Sequence, residues 1–225
     1  MSERASGSAK TDTKQRLLHG ALTALREHGV TGVSARTIGA AAGVNQALVF
    51  YHYKSVDELL GAACLSATKE RVAAYASRFG AVGSLRELLQ VGLDLHASEL
   101  ADGNVSVLAQ MLAAAQTGER LAEPTAAALQ MWTDEIEAVL HRLLDGSPVA
   151  EVADIPGLAR AVSAAFVGLE LFEGVDRDGA RQALAALDQL AVLVEVVDEL
   201  GPIARRALRA KVRSHLKVRE PSGPA

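Results

Sequence analysis

A single cysteine, Cys64, stands in a chain of 225 residues. That excludes a disulfide within the chain and any cysteine-built zinc site. Alone on a helix, it reads as a small buried hydrophobe. Proline is scarce too, six in all, while alanine and leucine dominate, a balance that favours helices. No segment alternates apolar and polar residues long enough for a strand, and no internal repeat is visible. No run of about 18 consecutive apolar residues occurs, so no membrane span is expected. The segment MSERASGSAKTDTK lacks the apolar core of a signal peptide, which makes the cytoplasm the expected compartment. The G-x-S-x-G, phosphate-loop, H-E-x-x-H and G-x-G-x-x-G motifs are all missing. Catalysis therefore has no support, and neither a cofactor nor a metal is expected. His96 and Glu99 have a spacing that metals use, but with no second such pair they read as a surface pair.

What is present begins with an uneven charge. The net charge is −4. Residues 1–54 carry seven Lys/Arg against three Asp/Glu, net +4. Residues 55–204 carry nine against 23, net −14, and residues 205–225 carry seven against one, net +6. A basic head on an acidic body suits a protein that meets phosphates with one end. The C-terminal cations, from Arg205 to Arg219, read as a solvated helix face rather than a second nucleic-acid contact.

Helical spacing and stop signals divide the chain into about ten helices, an all-α fold. Residues 1–10 read as a flexible arm and 219–225 as a loose tail. A first helix spans 13–27 and stops at Gly29. A fourth, over 56–79, opens on the capping box Ser55-x-x-Glu58. Later helices are expected over 84–100, opened by a second capping box at Ser84 and Glu87, then 105–115, 125–144, 154–172, 181–200 and 202–218. Residues 118–124 read as a break. The helix over 181–200 carries leucines and valines on too wide a stripe for one buried face. Ala161, Ala164, Ala165 and Gly168 give the preceding helix a small-residue surface. Together they point to burial against a second chain.

The most informative stretch is VSARTIGAAAGVNQALVFYHYKSVDELL, residues 33–60. Ser34 caps a short helix over 35–42, and Gly43 ends it in the left-handed conformation. Asn45 caps a second short helix over 46–52. Ile38 and Ala42 face inward, toward Val44 and Leu48. This is a helix-turn-helix, whose second helix enters the major groove of DNA. Gln46 can bond adenine twice, small Ala47 allows close approach or contact with a thymine methyl, and Arg36 can reach guanine or phosphate. Tyr53 reads as core.

Residues 13–60 resemble the N-terminal domain of the TetR family of bacterial repressors. The resemblance rests on the first helix, the Thr37-Ile38 pair, Gly43-Val44, the run Phe50-Tyr51-His52-Tyr53, Lys54 and Asp57-Glu58-Leu59-Leu60. It implies a DNA-binding domain over 11–60 and a ligand-binding and dimerisation body over 61–218. It adds Phe50, Tyr51, His52 and Lys54 to the expected DNA contacts, which also include the two caps Ser34 and Asn45. Tyrosine is usual at the position of Phe50 and lysine frequent at that of Val56, so two phosphate contacts are lost. The resemblance also implies a homodimer on a palindromic operator and a small-molecule effector. His96, Gln110, Met111, Trp132, Phe166 and Phe172 are the candidate pocket residues. With aromatics at 4% the pocket would be aliphatic and its ligand apolar. The expected function is a ligand-responsive repressor. The rival is a helical scaffold that keeps the fold and reads no DNA.

Overall fold

The computed structural model describes residues 2–145, 147, 150, 154–198, 200–201, 203–204, 206–207 and 210–211. Among them lie nine helices and no strand. They are α1 (Ser2–Gly32), α2 (Ala35–Ala42), α3 (Ala47–His52), α4 (Val56–Ala81), α5 (Leu85–Ala101), α6 (Asn104–Thr117), α7 (Glu119–Leu144), α8 (Ile155–Glu173) and α9 (Arg177–Asp198). The expected last helix and the tail fall largely outside the described residues.

Most boundaries follow the local signals. Ser55 Oγ accepts the Glu58 amide at 3.1 Å, and Ser84 Oγ accepts the Glu87 amide at the same distance. Each glutamate reaches back one residue beyond the serine, to the amide of Lys54 and of Gly83. Helix α6 starts one residue earlier than expected, and three helices start several residues earlier. Helix α1 begins at Ser2 rather than 13, because no proline interrupts the first residues; Gly29 is a non-helical residue inside it, at φ 68° and ψ 167°. Helix α9 opens at Arg177 rather than 181, since Asp176 Oδ1 accepts the Gly179 amide and provides a start. Helix α7 runs through the expected break at 118–124 and contains Pro124. The ring lies against Gly61 of α4, where a built Cβ would come within 2.8 Å of Pro124 Cγ. Only a glycine lets the two helices meet there.

The chain forms two compact units, residues 1–75 with 95–132, and residues 76–94 with 133–225. In the first, Leu17, Ala21, Leu25, Ile38, Val49, Leu59, Leu60 and Met111 build one core, with Val44, Leu48 and Cys64 packed on it. Burial raises the Cys64 thiol pKa, opposed by Arg71 and a hydrogen bond from Thr68. In the second, Phe79, Val82, Val139, Leu140, Ile155 and Ala159 are buried. There the Arg142 guanidinium donates to the carbonyls of Phe79 (2.8 Å) and Val82 (3.1 Å) and closes the C-terminal end of α4.

Helix α8 is two-faced. Ile155, Ala159, Ser163 and Glu170 are buried, while Leu158, Ala161, Ala164, Ala165, Gly168, Leu171 and Phe172 face solvent. Among the described residues it is the one helix long and apolar enough, by length and composition alone, to cross a membrane. Charges interrupt it at Arg160, Glu170 and Glu173, which broke the run in the sequence.

Candidate nucleic-acid interface

The interface is built by caps. Ser34 is extended, at φ −148° and ψ 164°, and its Oγ accepts the Thr37 amide at 3.2 Å. Thr37 Oγ1 accepts the Ser34 amide in return at 2.8 Å, so two of the orphan donors of α2 are satisfied reciprocally. Gly43 closes α2 in the left-handed conformation, at φ 62° and ψ 38°. The Val44 amide donates back to the Gly39 carbonyl at 2.9 Å. Gly39 is confined there, since a Cβ would lie 3.0 Å from the Val44 oxygen and 3.1 Å from the Gln46 backbone. Asn45 Oδ1 accepts the Ala47 amide at 2.9 Å. Helix α3 therefore starts one residue later than expected, with Gln46 in its cap position.

These caps fix which side of α3 faces out. Val49 is wholly buried and Tyr53 nearly so, four residues apart on one face. Gln46, Ala47, Phe50 and Tyr51 occupy the other face, all exposed. Phe50 is 61% and Tyr51 70% exposed, in a chain with few aromatics to spare. Arg36, Asn45 and Lys54 are exposed too, while Ser34 and His52 are half-buried. Tyr51 and His52 meet edge to face with centroids 4.9 Å apart. Tyr53 is a core residue, as expected. Burial, then the nearby Glu58, raises its phenol pKa, and Lys14 Nζ lies 5.7 Å from its ring centre.

One residue escaped the sequence reading. The Arg16 guanidinium, on α1, donates to the Ala42 carbonyl at 3.1 and 2.9 Å and to the Gly43 carbonyl at 2.6 Å. It satisfies carbonyls that α2 leaves open and places a cation at the negative end of its dipole. The partners lie 26 and 27 residues away, beyond any local pattern. Close approach of α1 and α2 at the same place requires Gly20, whose Cβ would stand 2.7 Å from Ala42 Cβ.

A family model described as bacterial regulatory proteins of the tetR family matches residues 17–63. That span holds α2, α3 and the residues just placed. The head is a TetR-family DNA-binding domain. An HTH-type transcriptional repressor of Mycobacterium tuberculosis is 33% identical over 76 residues, 34% of this chain and 40% of its own length. The whole fold is similar to that of a Rhodococcus protein described as a TetR-family transcriptional regulator. The TM-score is 0.66 and the identity 24%, over 80% of this chain and 98% of that one. It is also similar to the transcriptional regulator FadR of Bacillus subtilis, solved with stearoyl-CoA. There the TM-score is 0.63 and the identity 13%, over 82% of this chain and 97% of that one. The protein is a DNA-binding transcriptional regulator carrying a TetR-type head.

Outside the TetR-type head the expected pocket residues scatter. Met111 is wholly buried in the core that includes Leu17. The buried Gln110 Oε1 has no hydrogen-bond partner and lies toward Gly29 at the end of α1. Trp132 meets Tyr75 edge to face at 6.4 Å. His96 belongs to the same unit, whereas Phe166 and Phe172 belong to the other. Phe166 packs against Gly92, and Phe172 is half-exposed. A groove of about 620 Å³ lies between the start of α4 and α7, lined by Lys54, Ser55, Asp57, Glu58, Gly61, Ala62, Leu65, Arg120 and Pro124. None of the six expected pocket residues lines it. Glu99 departs from the surface pair expected with His96. Its Oε2 lies 3.1 Å from Arg71 Nε, though the N–H is not aimed at it. Burial raises the Glu99 pKa, opposed by Arg71 and a hydrogen bond from Asn104. Among the described residues no group of three or more His, Cys, Asp or Glu could hold a metal ion.

Proposed function

We propose that the protein is a repressor that binds a palindromic operator as a homodimer and is released by a small, largely apolar effector held in its helical body. The observation that carries the DNA side is the outward face of α3, where Gln46, Ala47, Phe50 and Tyr51 stand free of the core. Exposed aromatics on so short a helix are costly in water and useful against a partner. Arg36, Lys54, Ser34, Asn45 and His52 complete the contact set. The repressor named among the relatives supports the mode of action, and stearoyl-CoA in FadR supports an apolar effector.

The dimer reading rests on α8. Leu158, Ala161, Ala165, Gly168 and Phe172 recur at spacings of three and four on its solvent side. Small residues in such a stripe let a second helix approach closely, and Leu193 and Val196 of α9 are exposed apolar side chains too. A two-fold dimer presents two heads to half-sites one or more helical turns apart. An effector acts by favouring the dimer conformation whose head spacing does not fit, and only to the extent that it binds that state more tightly. Its candidate contacts are His96, Gln110 and Trp132 if the site lies in the first unit, or Phe166 and Phe172 if it lies in the second; Met111 can take part only if the core around it opens.

The test is selection of duplexes from a random pool by the purified protein, then titration of the enriched sequence at two salt concentrations with sedimentation of the complex. A palindrome bound by two chains, with affinity falling as salt rises, is the expected result. A folded protein that enriches no sequence would favour the scaffold reading.

A further inference from the structure

The groove between the starts of α4 and α7 lies wholly in the first compact unit. It holds none of the outward side chains of α3 and none of the six expected pocket residues. Helices α4 and α7 touch where the Pro124 ring meets Gly61, about one and a half turns into each. Gly61, Ala62, Leu65 and Pro124 give the groove an apolar lining. Lys54 and Arg120, both exposed, add two cations, and among the described residues no ion pair holds either. Asp57 and Glu58 line it too, but α4 uses their charge. Both sit in its first turn, at the positive end of its dipole, and Glu58 Oε2 accepts the Lys54 amide at 3.0 Å. Two unpaired cations beside an apolar surface match a molecule with an oxyanion head and a short apolar chain. A guanidinium fork takes a carboxylate through two parallel hydrogen bonds. One negative charge suits the lining better than two, because Asp57 and Glu58 repel the excess. The volume, about 620 Å³, is that of a small-molecule site.

We propose that this groove binds a small amphiphilic carboxylate, its head on Arg120 and Lys54 and its chain on Ala62, Leu65 and Pro124. Lys54 then serves two ligands, since it is also a proposed DNA contact. Occupancy draws it away from the operator locally, at the start of α4, with no change in head spacing. That consequence rests on the repressor reading; the site itself does not.

The test gives the full-length protein sodium decanoate below its micelle concentration, beside decanol and decylamine of the same chain length. A photoreactive diazirine analogue of decanoate locates the site. Peptide mass spectrometry should find the label on residues 54–65 and 120–124, and plain decanoate should suppress it. Arg120→Gln should lose about tenfold in decanoate affinity, and Arg120→Lys, which keeps the charge, clearly less. Arg120 is exposed, so both variants should unfold at the native temperature. Label confined to other residues, decanol or decylamine binding as well as decanoate, or full affinity in Arg120→Gln would overturn the site. With an enriched operator, decanoate should cost about fivefold in affinity and reduce the salt slope by about one for each head. A labelled groove with unchanged operator binding would overturn the competition and keep the site. Failure to enrich any duplex would overturn the repressor, and the label would still decide the site.

Discussion

The outward faces of α3 and α8 are both rich in apolar side chains left in water, yet they are made differently. On α3 they are two large aromatics beside an amide, with arginine and lysine close by in sequence. On α8 they are mostly alanine, glycine and leucine, with Arg160 the one cation of the exposed face. The first is shaped to reach across a gap toward separate polar and apolar groups. The second is shaped to let another backbone come near. If each face meets a partner, side-chain size and the charge around it set what kind of partner fits.

That contrast can be broken from either side. The largest effect is expected from Ala165→Arg. If α8 meets its copy in a dimer, an unpaired cation is buried at the seam, and the dimer should weaken by about a hundredfold or more while each chain keeps its fold. Sedimentation over a concentration range checks this, and an undisturbed dimer would remove α8 from the interface. On the other side, Gln46→Ala combined with Tyr51→Ala should cost about a hundredfold in operator affinity and leave dimerisation untouched. Operator titration beside sedimentation measures both.

Smaller effects sharpen the comparison. Arg16→Met removes the donor that holds the end of α2, and should destabilise the head by about 2 kcal/mol. It should also weaken operator binding, since α2 ends where the turn into α3 begins; thermal unfolding and titration read the two losses. The smallest effect concerns Glu99. A carboxyl whose pKa is raised on folding binds its proton more tightly in the native state. Its contribution is therefore fully present below the unfolded value and declines as pH climbs through the folded one. Urea unfolding from about pH 4 upward should show native stability falling with pH relative to Glu99→Gln, whose slope should be flatter. Parallel curves would mean that Arg71 cancels the burial of the carboxylate.

How much of this was legible depended on how far apart the interacting residues lie. Ser34, Gly43 and Asn45 act on backbone atoms within a few positions, so the helix-turn-helix could be read from spacing, while Phe50 and Tyr51 of α3 were reached through the resemblance to the TetR family. The small-residue side of α8 could be read in part for the same reason. Arg16 could not, because its partners are brought to it only by the packing of α1 on α2. Pro124 misled because its place inside α7 depends on Gly61 making room from another helix. Met111 shows a different limit: a large apolar residue at helical spacing looks the same in sequence whether it lines a cavity or fills a core. The division into head and body was drawn at residue 60 from the motif; the two compact units follow spatial contacts instead, with α4, α5 and α7 each contributing to both.

Three arginines, Arg16, Arg26 and Arg142, reach long distances along the chain to bond main-chain oxygens, of Ala42 and Gly43, of Asp102, and of Phe79 and Val82 respectively. A carbonyl oxygen is supplied by every amino acid. These ties are therefore one-sided under mutation: position 102 can change identity and still answer Arg26, whereas position 26 has no substitute of equal reach and geometry. A scan of all single substitutions should find intolerance at the three arginines without matching intolerance at Asp102, and covariation between the partners should be absent even where the bond is present.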